Sequence, residues 1–184
     1  MTPTVMHIVL EGNIGVGKST LLSGIYEHFG IDSGISFAWE PVVEWQKQGF
    51  LRSMYTNEIS HSEFQYMVFC SLLTTTLMRL SEKPRVLIQE RSIHSAFEVF
   101  AKANVQPGES FDMLEFSYNE IKKTLYNVNT HIIYLRVPAS VAYARVSKRA
   151  RASEGSVSQE YINTINTRYE EWLCCGHSEN TTII

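Results

Sequence analysis

The order of apolar and polar residues along the chain predicts strands that alternate with helices. Four short apolar runs, bounded by turn or polar residues, predict β-strands at 7–11, 35–39, 85–89 and 131–137. Longer segments with helical periodicity predict helices at 18–28, 60–80, 92–103, 109–126, 139–150 and 157–173. Because segments of this length separate the strands, we expect crossover connections, and therefore an α/β fold with a parallel sheet flanked by helices.

The segment after the first strand has the residue spacing of a phosphate-binding loop. It consists of Gly12, Asn13, Ile14, Gly15, Val16, Gly17, Lys18, Ser19 and Thr20. The glycines allow backbone N–H groups to close around a β-phosphate, Lys18 supplies charge for the β and γ oxygens, and Ser19 offers a hydroxyl to Mg²⁺. A glycine-rich turn is the alternative. The strand before the loop and the helix that begins near Lys18 favour a P-loop, whose ligand would be ATP or a related triphosphate with Mg²⁺.

Two further strand ends carry charged residues. Glu40 follows the second strand, and Pro41 biases it towards an extended backbone, which suits a general base for a hydroxyl that attacks a γ-phosphoryl group. Glu90 and Arg91 follow the third strand. We expect the Glu90 carboxylate to lie near the metal and the Arg91 guanidinium to lie near the transferred oxygen. The structural alternatives are a solvated glutamate before a turn and an ordinary ion pair.

A basic cluster lies within and just after one predicted helix. Arg145 and Arg149 are four residues apart and share a face, with Lys148 beside them and Arg151 beyond the helix end. Guanidinium groups stabilise charge on a transferring phosphoryl group, and the small, polar residues 152–156 suit a closing lid. The alternative is a solvated basic helix face, to which we assign Lys148.

Aromatic residues are dense around one amide side chain. The aromatic region extends from Trp45 to Tyr66 and contains Phe50, Tyr55, Phe64 and the amide residue Gln65. Rings can enclose a planar base, and a side-chain amide matches the donor and acceptor of a Watson–Crick edge. Core packing is the alternative for aromatic residues at helical spacing.

In their order and spacing, these motifs resemble those of the cellular and viral deoxyribonucleoside kinase family, which includes deoxycytidine, deoxyguanosine and mitochondrial thymidine kinases. The resemblance covers residues 6–173 and is greatest to the multisubstrate insect type. The matching segments are 11–20, 40–42 with Trp45, 64–65, 90–96, 136–138 and 149–154. It implies a P-loop kinase fold with an arginine-rich lid.

The resemblance also implies a role for individual residues. Glu40 would be the base for the sugar 5′-hydroxyl, Arg91 would hold that hydroxyl, and Glu90 with Ser19 would place Mg²⁺. Gln65 would read the base between the rings of Trp45, Phe64 and Phe100. Tyr55 and Glu154 would bind the 3′-hydroxyl, Glu154 only when the lid closes. The implied catalytic residues are Lys18, Glu40, Arg91, Arg145, Arg149 and Arg151. The implied nucleoside-binding residues are Trp45, Tyr55, Phe64, Gln65, Val68, Leu72, Arg91, Ala96, Phe100 and Glu154.

The sequence departs from the family pattern in two places. Leu72 and Ala96 stand where purine-accepting and deoxycytidine members carry an arginine and an acid, which favours thymidine and deoxycytidine. The family continues into a fifth strand and an adenine-contacting loop, whereas this sequence ends at residues 181–184, which resemble the start of a strand. We therefore expect residues 1–184 to be one kinase-like domain truncated at its C-terminal strand, unless the donor base is held differently.

The sequence predicts transfer of a γ-phosphoryl group from ATP to the 5′-hydroxyl of a pyrimidine deoxyribonucleoside. A nucleoside monophosphate kinase of the thymidylate type and a non-catalytic kinase-like subunit are the alternatives. The resemblance implies a homodimer formed through the helices at 60–80 and 109–126.

The amino-acid composition limits which binding partners and which cellular location we expect. The 184 residues are 44% hydrophobic and 19% charged with a formal net charge of -3, which predicts one globular domain without a nucleic-acid or membrane partner. The three cysteines have no even-numbered disulfide framework. We expect free thiols and a cytoplasmic protein, with mitochondrial or viral origin left open.

Overall fold

Within the residues that the structure describes, five strands form one parallel sheet in the order β2-β3-β1-β4-β5. The computed structural model describes residues 5–30, 34–125, 128–149, 157–175 and 180–184. In the sheet, Leu10 of β1 lies opposite Glu90 of β3 and Ile133 of β4. The predicted parallel sheet is therefore confirmed. The strands are β1 Met6–Glu11, β2 Ile35–Ala38, β3 Val86–Glu90, β4 Asn129–Tyr134 and β5 Thr181–Ile183.

Helices fill the connections between the strands. They are α1 Lys18–Phe29, α2 Val42–Lys47, α3 Phe50–Tyr55, α4 His61–Ser81, α5 Ile93–Ser95, α6 Lys102–Asn104, α7 Glu109–Thr124, α8 Ala139–Arg149 and α9 Gln159–Glu170. A π-helical segment, Ala96–Ala101, joins α5 to α6, and a second one, Glu171–Cys175, continues α9. The six predicted helices are confirmed, with α5, the first π-helical segment and α6 together forming the one predicted at 92–103.

Local chemistry explains where the longest helix begins. The Ser60 side chain accepts a hydrogen bond from the Glu63 backbone N–H, and the Glu63 carboxylate accepts one from the Ser60 N–H at 2.7 Å. This capping box satisfies two backbone donors that the first turn of α4 leaves without a helical partner.

The two short helices α2 and α3 were not predicted. Each has six residues, fewer than two full turns, so neither provides enough positions to establish a helical period. Gly49 separates them with a left-handed φ of 79°, a conformation that glycine adopts without the penalty of a Cβ. The strand predicted at 131–137 ends earlier, at Tyr134. Leu135 and Arg136 still donate to the carbonyls of Glu11 and Ile184, and the Pro138 carbonyl then accepts from the first turn of α8.

Apolar packing on both faces of the sheet fixes the position of its central strand. Leu10 of β1 packs with Leu22 of α1 on one face, while Tyr134 of β4 packs with Ile165 and Tyr169 of α9 on the other. Because both faces are covered, the polar ends of β1, β2 and β3 are left to form a site at the carboxyl edge of the sheet.

The chain ends in an edge strand. The Ile184 N–H donates to the Tyr134 carbonyl at 3.0 Å, and the Arg136 N–H donates to the Ile184 carbonyl at 2.8 Å. The strand start predicted at 181–184 is therefore confirmed, whereas the expected truncation stays a prediction. Among the described residues, no helix is long and apolar enough to cross a membrane.

Candidate active site

A cavity of about 1190 Å³ opens at the carboxyl ends of β1, β2 and β3. The predicted P-loop, strand-end and aromatic residues meet in its wall, although they are far apart in the sequence. The predicted site residues that line it are Ile14, Gly15, Val16, Gly17, Lys18, Ser19, Thr20, Glu40, Trp45, Phe64, Gln65, Val68, Leu72, Glu90, Arg91, Ala96, Phe100, Arg145 and Arg149. A cavity of this size with converging charged groups is typical of a small-molecule site.

Tight contacts with α8 and α9 hold the P-loop in place. Gly15 has a φ of 83°, and a Cβ at this position would lie 2.5 Å from the Ala142 carbonyl oxygen of α8. Asn13 donates from Nδ2 to the Ile162 carbonyl of α9 at 2.8 Å. Glycine is therefore required at position 15 both for its backbone conformation and for the close approach of α8.

Lys18 lies buried beneath the loop and bonds to it. Its Nζ donates to the carbonyl oxygens of Gly12 at 3.0 Å and Asn13 at 2.9 Å. Burial, with repulsion from Arg91, lowers the pKa of Lys18 to about 8, although Glu40 and other nearby carboxylates oppose the shift. A phosphate anion beside Nζ would restore its preference for the charged form.

Ser19 and Glu90 meet where a metal was predicted. The Ser19 hydroxyl donates to Glu90 Oε1 at 2.7 Å, which joins the first turn of α1 to the end of β3. No cluster of three or more His, Cys, Asp or Glu suited to a metal occurs in the part of the chain that the structure describes. A hydroxyl and one carboxylate nevertheless fit Mg²⁺, which commonly takes its other ligands from water and substrate phosphates.

Glu40 and Arg91 form the ion pair at the centre of the cavity wall. Glu40 Oε1 lies 2.9 Å from Arg91 Nε, and the Glu40 side chain is 15% exposed against 5% for Arg91. Arg91 has a left-handed φ of 61°, an uncommon conformation for a residue with a Cβ. Its guanidinium carbon lies 4.5 Å from the centre of the Phe100 ring. Backbone conformation, ring and carboxylate together direct the guanidinium towards the cavity.

A buried network behind this pair was missed in the sequence. Glu11, at the end of β1, is fully buried and accepts hydrogen bonds from the hydroxyls of Ser92 at 2.8 Å and Tyr169 at 3.0 Å. Burial raises the pKa of Glu11, while Arg91 and these hydroxyls oppose the rise. The position of Glu11 directly before the P-loop was the available signal. Tyr169 gave no signal, because it lies within an ordinary helical pattern.

The residues predicted to bind the nucleoside line the same cavity from α2, α4 and the first π-helical segment. Trp45 and Phe64 pack edge to face with ring centres 6.1 Å apart, a separation of direct contact that leaves no room for a base between these two rings. Gln65 is 3% exposed, and its Oε1 lacks a hydrogen-bond partner among the described residues. Leu72 and Ala96 add buried apolar surface.

The predicted lid is only partly within the described residues. Arg145 and Arg149 line the cavity, and Arg145 Nη1 donates to the Val16 carbonyl of the P-loop at 2.9 Å. Lys148 is exposed, as expected. Arg151 and Glu154 lie outside the described residues, as does the side chain of Tyr55.

Comparison with known proteins gives matches along nearly the whole chain. The chain is 30% identical over 171 residues to a probable deoxycytidine kinase of fowlpox virus, covering 90% of this chain and 71% of that protein. It is 29% identical over 179 residues to a thymidine kinase of Ictalurid herpesvirus 1, covering 93% and 75%. A rat relative, mitochondrial NADH dehydrogenase [ubiquinone] 1 alpha subcomplex subunit 10, is 28% identical over 193 residues, covering 94% and 54%.

The deoxynucleoside kinase family profile matches residues 8–184. That match contains the P-loop, the carboxylates that follow β2 and β3, and the helix that carries Tyr169. With this coverage, the chain belongs to the deoxynucleoside kinase family.

Proposed function

We propose that this protein transfers the γ-phosphoryl group of ATP, or of a related nucleoside triphosphate, to the 5′-hydroxyl of a pyrimidine deoxyribonucleoside. One observation carries the proposal: the Glu40–Arg91 pair, with its 2.9 Å contact, lines the same cavity as Lys18 and Ser19 of the P-loop. A proton acceptor and a phosphate-binding loop are thereby brought to one site, which is what transfer to a hydroxyl requires.

Glu40 serves as the general base in this mechanism. A 5′-hydroxyl that donates to Glu40 becomes oriented for in-line attack, and its proton passes to the carboxylate as the new P–O bond forms. Arg91, on the other side of Glu40, donates to the acceptor oxygen and holds the carboxylate in place. The 15% exposure of the Glu40 side chain leaves it accessible from the cavity.

The P-loop holds the donor. Its backbone N–H groups surround the β-phosphate, and Lys18 exchanges its carbonyl partners for the β and γ oxygens. Ser19 and Glu90 would hold Mg²⁺, which neutralises charge on the transferring group when it is bound. Arg145 and Arg149, which also line the cavity, stabilise the equatorial oxygens.

Gln65 and the apolar end of the cavity support a pyrimidine acceptor. Gln65 Oε1, which has no hydrogen-bond partner in the described part of the chain, needs a donor such as the N3–H of thymine or the exocyclic amine of cytosine. Leu72 and Ala96, each 1% exposed, present no charged group to the extra ring atoms and substituents of a purine. We expect a kcat/KM advantage for pyrimidines of about tenfold, equivalent to roughly 1.4 kcal/mol.

The two alternative functions are a nucleoside monophosphate kinase and a non-catalytic kinase-like subunit. A monophosphate kinase needs cationic groups for an acceptor phosphate. Arg91, the cation beside Glu40, is already paired with the Glu40 carboxylate. A non-catalytic role is the second alternative, because one relative, at 28% identity, is named as a rat NADH dehydrogenase subunit and not as a kinase. The presence of Lys18, Glu40 and Arg91 in one cavity supports catalysis instead.

The test is an ATP-consumption assay with separate acceptors. Thymidine, deoxycytidine, deoxyadenosine, deoxyguanosine and thymidine monophosphate are each supplied with and without Mg²⁺. We expect turnover with the pyrimidine nucleosides and loss of it without Mg²⁺. Turnover with thymidine monophosphate alone would identify the rival kinase, equal efficiency for deoxyguanosine and thymidine would contradict the pyrimidine preference, and no turnover would support the non-catalytic role.

A homodimer is also proposed, on the basis of apolar side chains on two helices. Leu77 and Met78 of α4 are 43% and 65% exposed, and Met113 and Phe116 of α7 are 61% and 68% exposed. Exposed apolar side chains on two helices that contact each other support an interface on this side of the protein. The cytoplasmic location stays a prediction from the sequence.

A further inference from the structure

Tyr169 is a buried residue of the site for which the proposed mechanism gives no role. Its side chain is 0% exposed, and its ring stacks on Tyr134 with centres 5.6 Å apart and planes at 15°. Its hydroxyl accepts from Arg91 Nη1 at 2.6 Å and donates to Glu11 Oε2 at 3.0 Å. Both partners of this hydroxyl are therefore charged groups of the active site.

Arg91 lies near two carboxylates, Glu40 and Glu11, and its guanidinium could pair with either. Its Nε contacts Glu40 directly at 2.9 Å, whereas its Nη1 reaches Glu11 only through the Tyr169 hydroxyl. Glu11 is fully buried, and a buried carboxylate is strongly attracted to a guanidinium. A direct Arg91–Glu11 pair would satisfy Glu11 and would turn the guanidinium away from Glu40.

We propose that Tyr169 is a positioning residue: its hydroxyl separates Arg91 from Glu11 and so keeps the guanidinium on Glu40, the base of the proposed kinase reaction on which this inference rests. The phenol satisfies the Arg91 Nη1 donor and the Glu11 acceptor at the same time. The alternative acceptor near Nη1, the Gly12 carbonyl at 3.4 Å, is too distant to replace it as a strong hydrogen bond. The hydroxyl therefore decides which carboxylate Arg91 pairs with.

The first experiment compares Tyr169→Phe with Tyr134→Phe in the full chain. Both changes remove one hydroxyl from a buried, stacked tyrosine, but the Tyr134 hydroxyl donates to Glu170 at 3.0 Å, away from Arg91. We expect Tyr169→Phe to lower kcat with thymidine by about tenfold or more, with a smaller change in KM, and Tyr134→Phe to leave kcat within about twofold. A kcat for Tyr169→Phe equal to that of Tyr134→Phe would overturn the proposal.

The second experiment is a rescue that a purely structural role would not produce. Glu11→Gln removes the charge that competes for Arg91, so Tyr169→Phe combined with Glu11→Gln should recover kcat about fivefold or more relative to Tyr169→Phe alone. If the hydroxyl only supports packing, two buried changes will be at least as damaging as one. A double variant no faster than Tyr169→Phe therefore contradicts the spacer role.

The wild-type protein in the same assay separates this inference from the proposed function. Inactive wild-type protein counts against the kinase assignment, whereas active wild-type protein with an unimpaired Tyr169→Phe variant counts against the inference alone. If Tyr169→Phe does not fold, Glu11→Gln alone provides the test. Its kcat should fall at least about tenfold less than that of Glu40→Gln, because Arg91 then has no competing charge, and a loss as large as that of Glu40→Gln would overturn the spacer role.

Discussion

Two buried polar clusters lie close together in the sheet and differ in charge. The charged cluster, Glu11, Lys18, Glu40, Glu90 and Arg91, combines three carboxylates with two cations at the strand ends. Lys18, Glu40, Glu90 and Arg91 of this cluster face the cavity. A nucleotide and a metal could replace the bonds of Lys18 Nζ to two backbone carbonyls and of the Ser19 hydroxyl to Glu90.

The neutral cluster, His7, Thr76, Gln89 and Thr130, links β1, β3, β4 and α4. His7 bonds Thr130 and Gln89 at 3.2 Å each, and the Thr76 hydroxyl donates to Gln89 Oε1 at 2.9 Å. Burial lowers the pKa of His7 to about 4, so the ring is uncharged at neutral pH. The Gln89 Nε2 lacks a partner among the described residues, while the other groups are paired within the protein.

The comparison shows that burial of polar groups alone does not identify a site. The charged cluster has excess negative charge and adjoins the cavity, whereas the neutral cluster is largely satisfied by its own members. We therefore expect changes in the charged cluster to affect activity and changes in the neutral cluster to affect stability.

The largest effect is expected from Glu40→Gln. The amide keeps the shape of the carboxylate but cannot accept a proton, so kcat should fall by about 10² or more while deoxynucleoside binding survives. Steady-state kinetics and calorimetric binding of thymidine measure the two effects. Glu44→Gln is the matched control, since Glu44 is exposed on α2 and its carboxylate accepts from Gln48. Unchanged turnover in Glu40→Gln would exclude Glu40 as the base.

A smaller effect is expected in the pH dependence of triphosphate binding. Because the pKa of Lys18 is lowered to about 8, the free protein loses this proton as pH rises through that value. Bound phosphate favours the protonated amine, so binding above pH 8 takes up a proton and the ATP Kd rises by up to about tenfold per pH unit.

Calorimetry at pH 7.5, 8.5 and 9.5, in two buffers of different ionisation enthalpy, counts the protons taken up by ATP binding. Deoxycytidine provides the control ligand, because it carries no phosphate to interact with Lys18. A pH-independent ATP Kd without proton uptake would mean that Lys18 is fully protonated in the free protein.

The smallest effect is expected in the neutral cluster. Thr76→Val keeps the side-chain shape and removes the hydroxyl that donates to Gln89, so the free energy of unfolding should fall by about 1 kcal/mol while kcat stays unchanged. Urea denaturation and the kinase assay measure the two quantities. Thr75→Val is the control, since the Thr75 hydroxyl donates to the Ser71 carbonyl of its own helix at 2.8 Å. A loss of activity in Thr76→Val with unchanged stability would break the distinction between the clusters.

The features that were predictable from sequence are local. The P-loop is a run of neighbouring residues whose glycines and lysine have defined tasks, and its structure places Lys18 at the start of α1. In the structure, a capping box of two residues close together in the chain, Ser60 and Glu63, likewise lies at the start of α4. Helical periodicity located the long helices, while six-residue α2 and α3 were too short for the same signal.

By itself, the sequence determined the alternation of strands and helices, the phosphate-binding loop and the presence of carboxylates at strand ends, because each depends on residues close together in the chain. Only the tertiary structure decided which charges meet. The Tyr169 hydroxyl forms hydrogen bonds with Glu11, which lies 158 positions away in the sequence, and with Arg91, which lies 78 positions away. Such contacts depend on how α9 packs against the sheet, and side-chain burial and hydrogen-bond partners are properties of that packing that no local pattern contains.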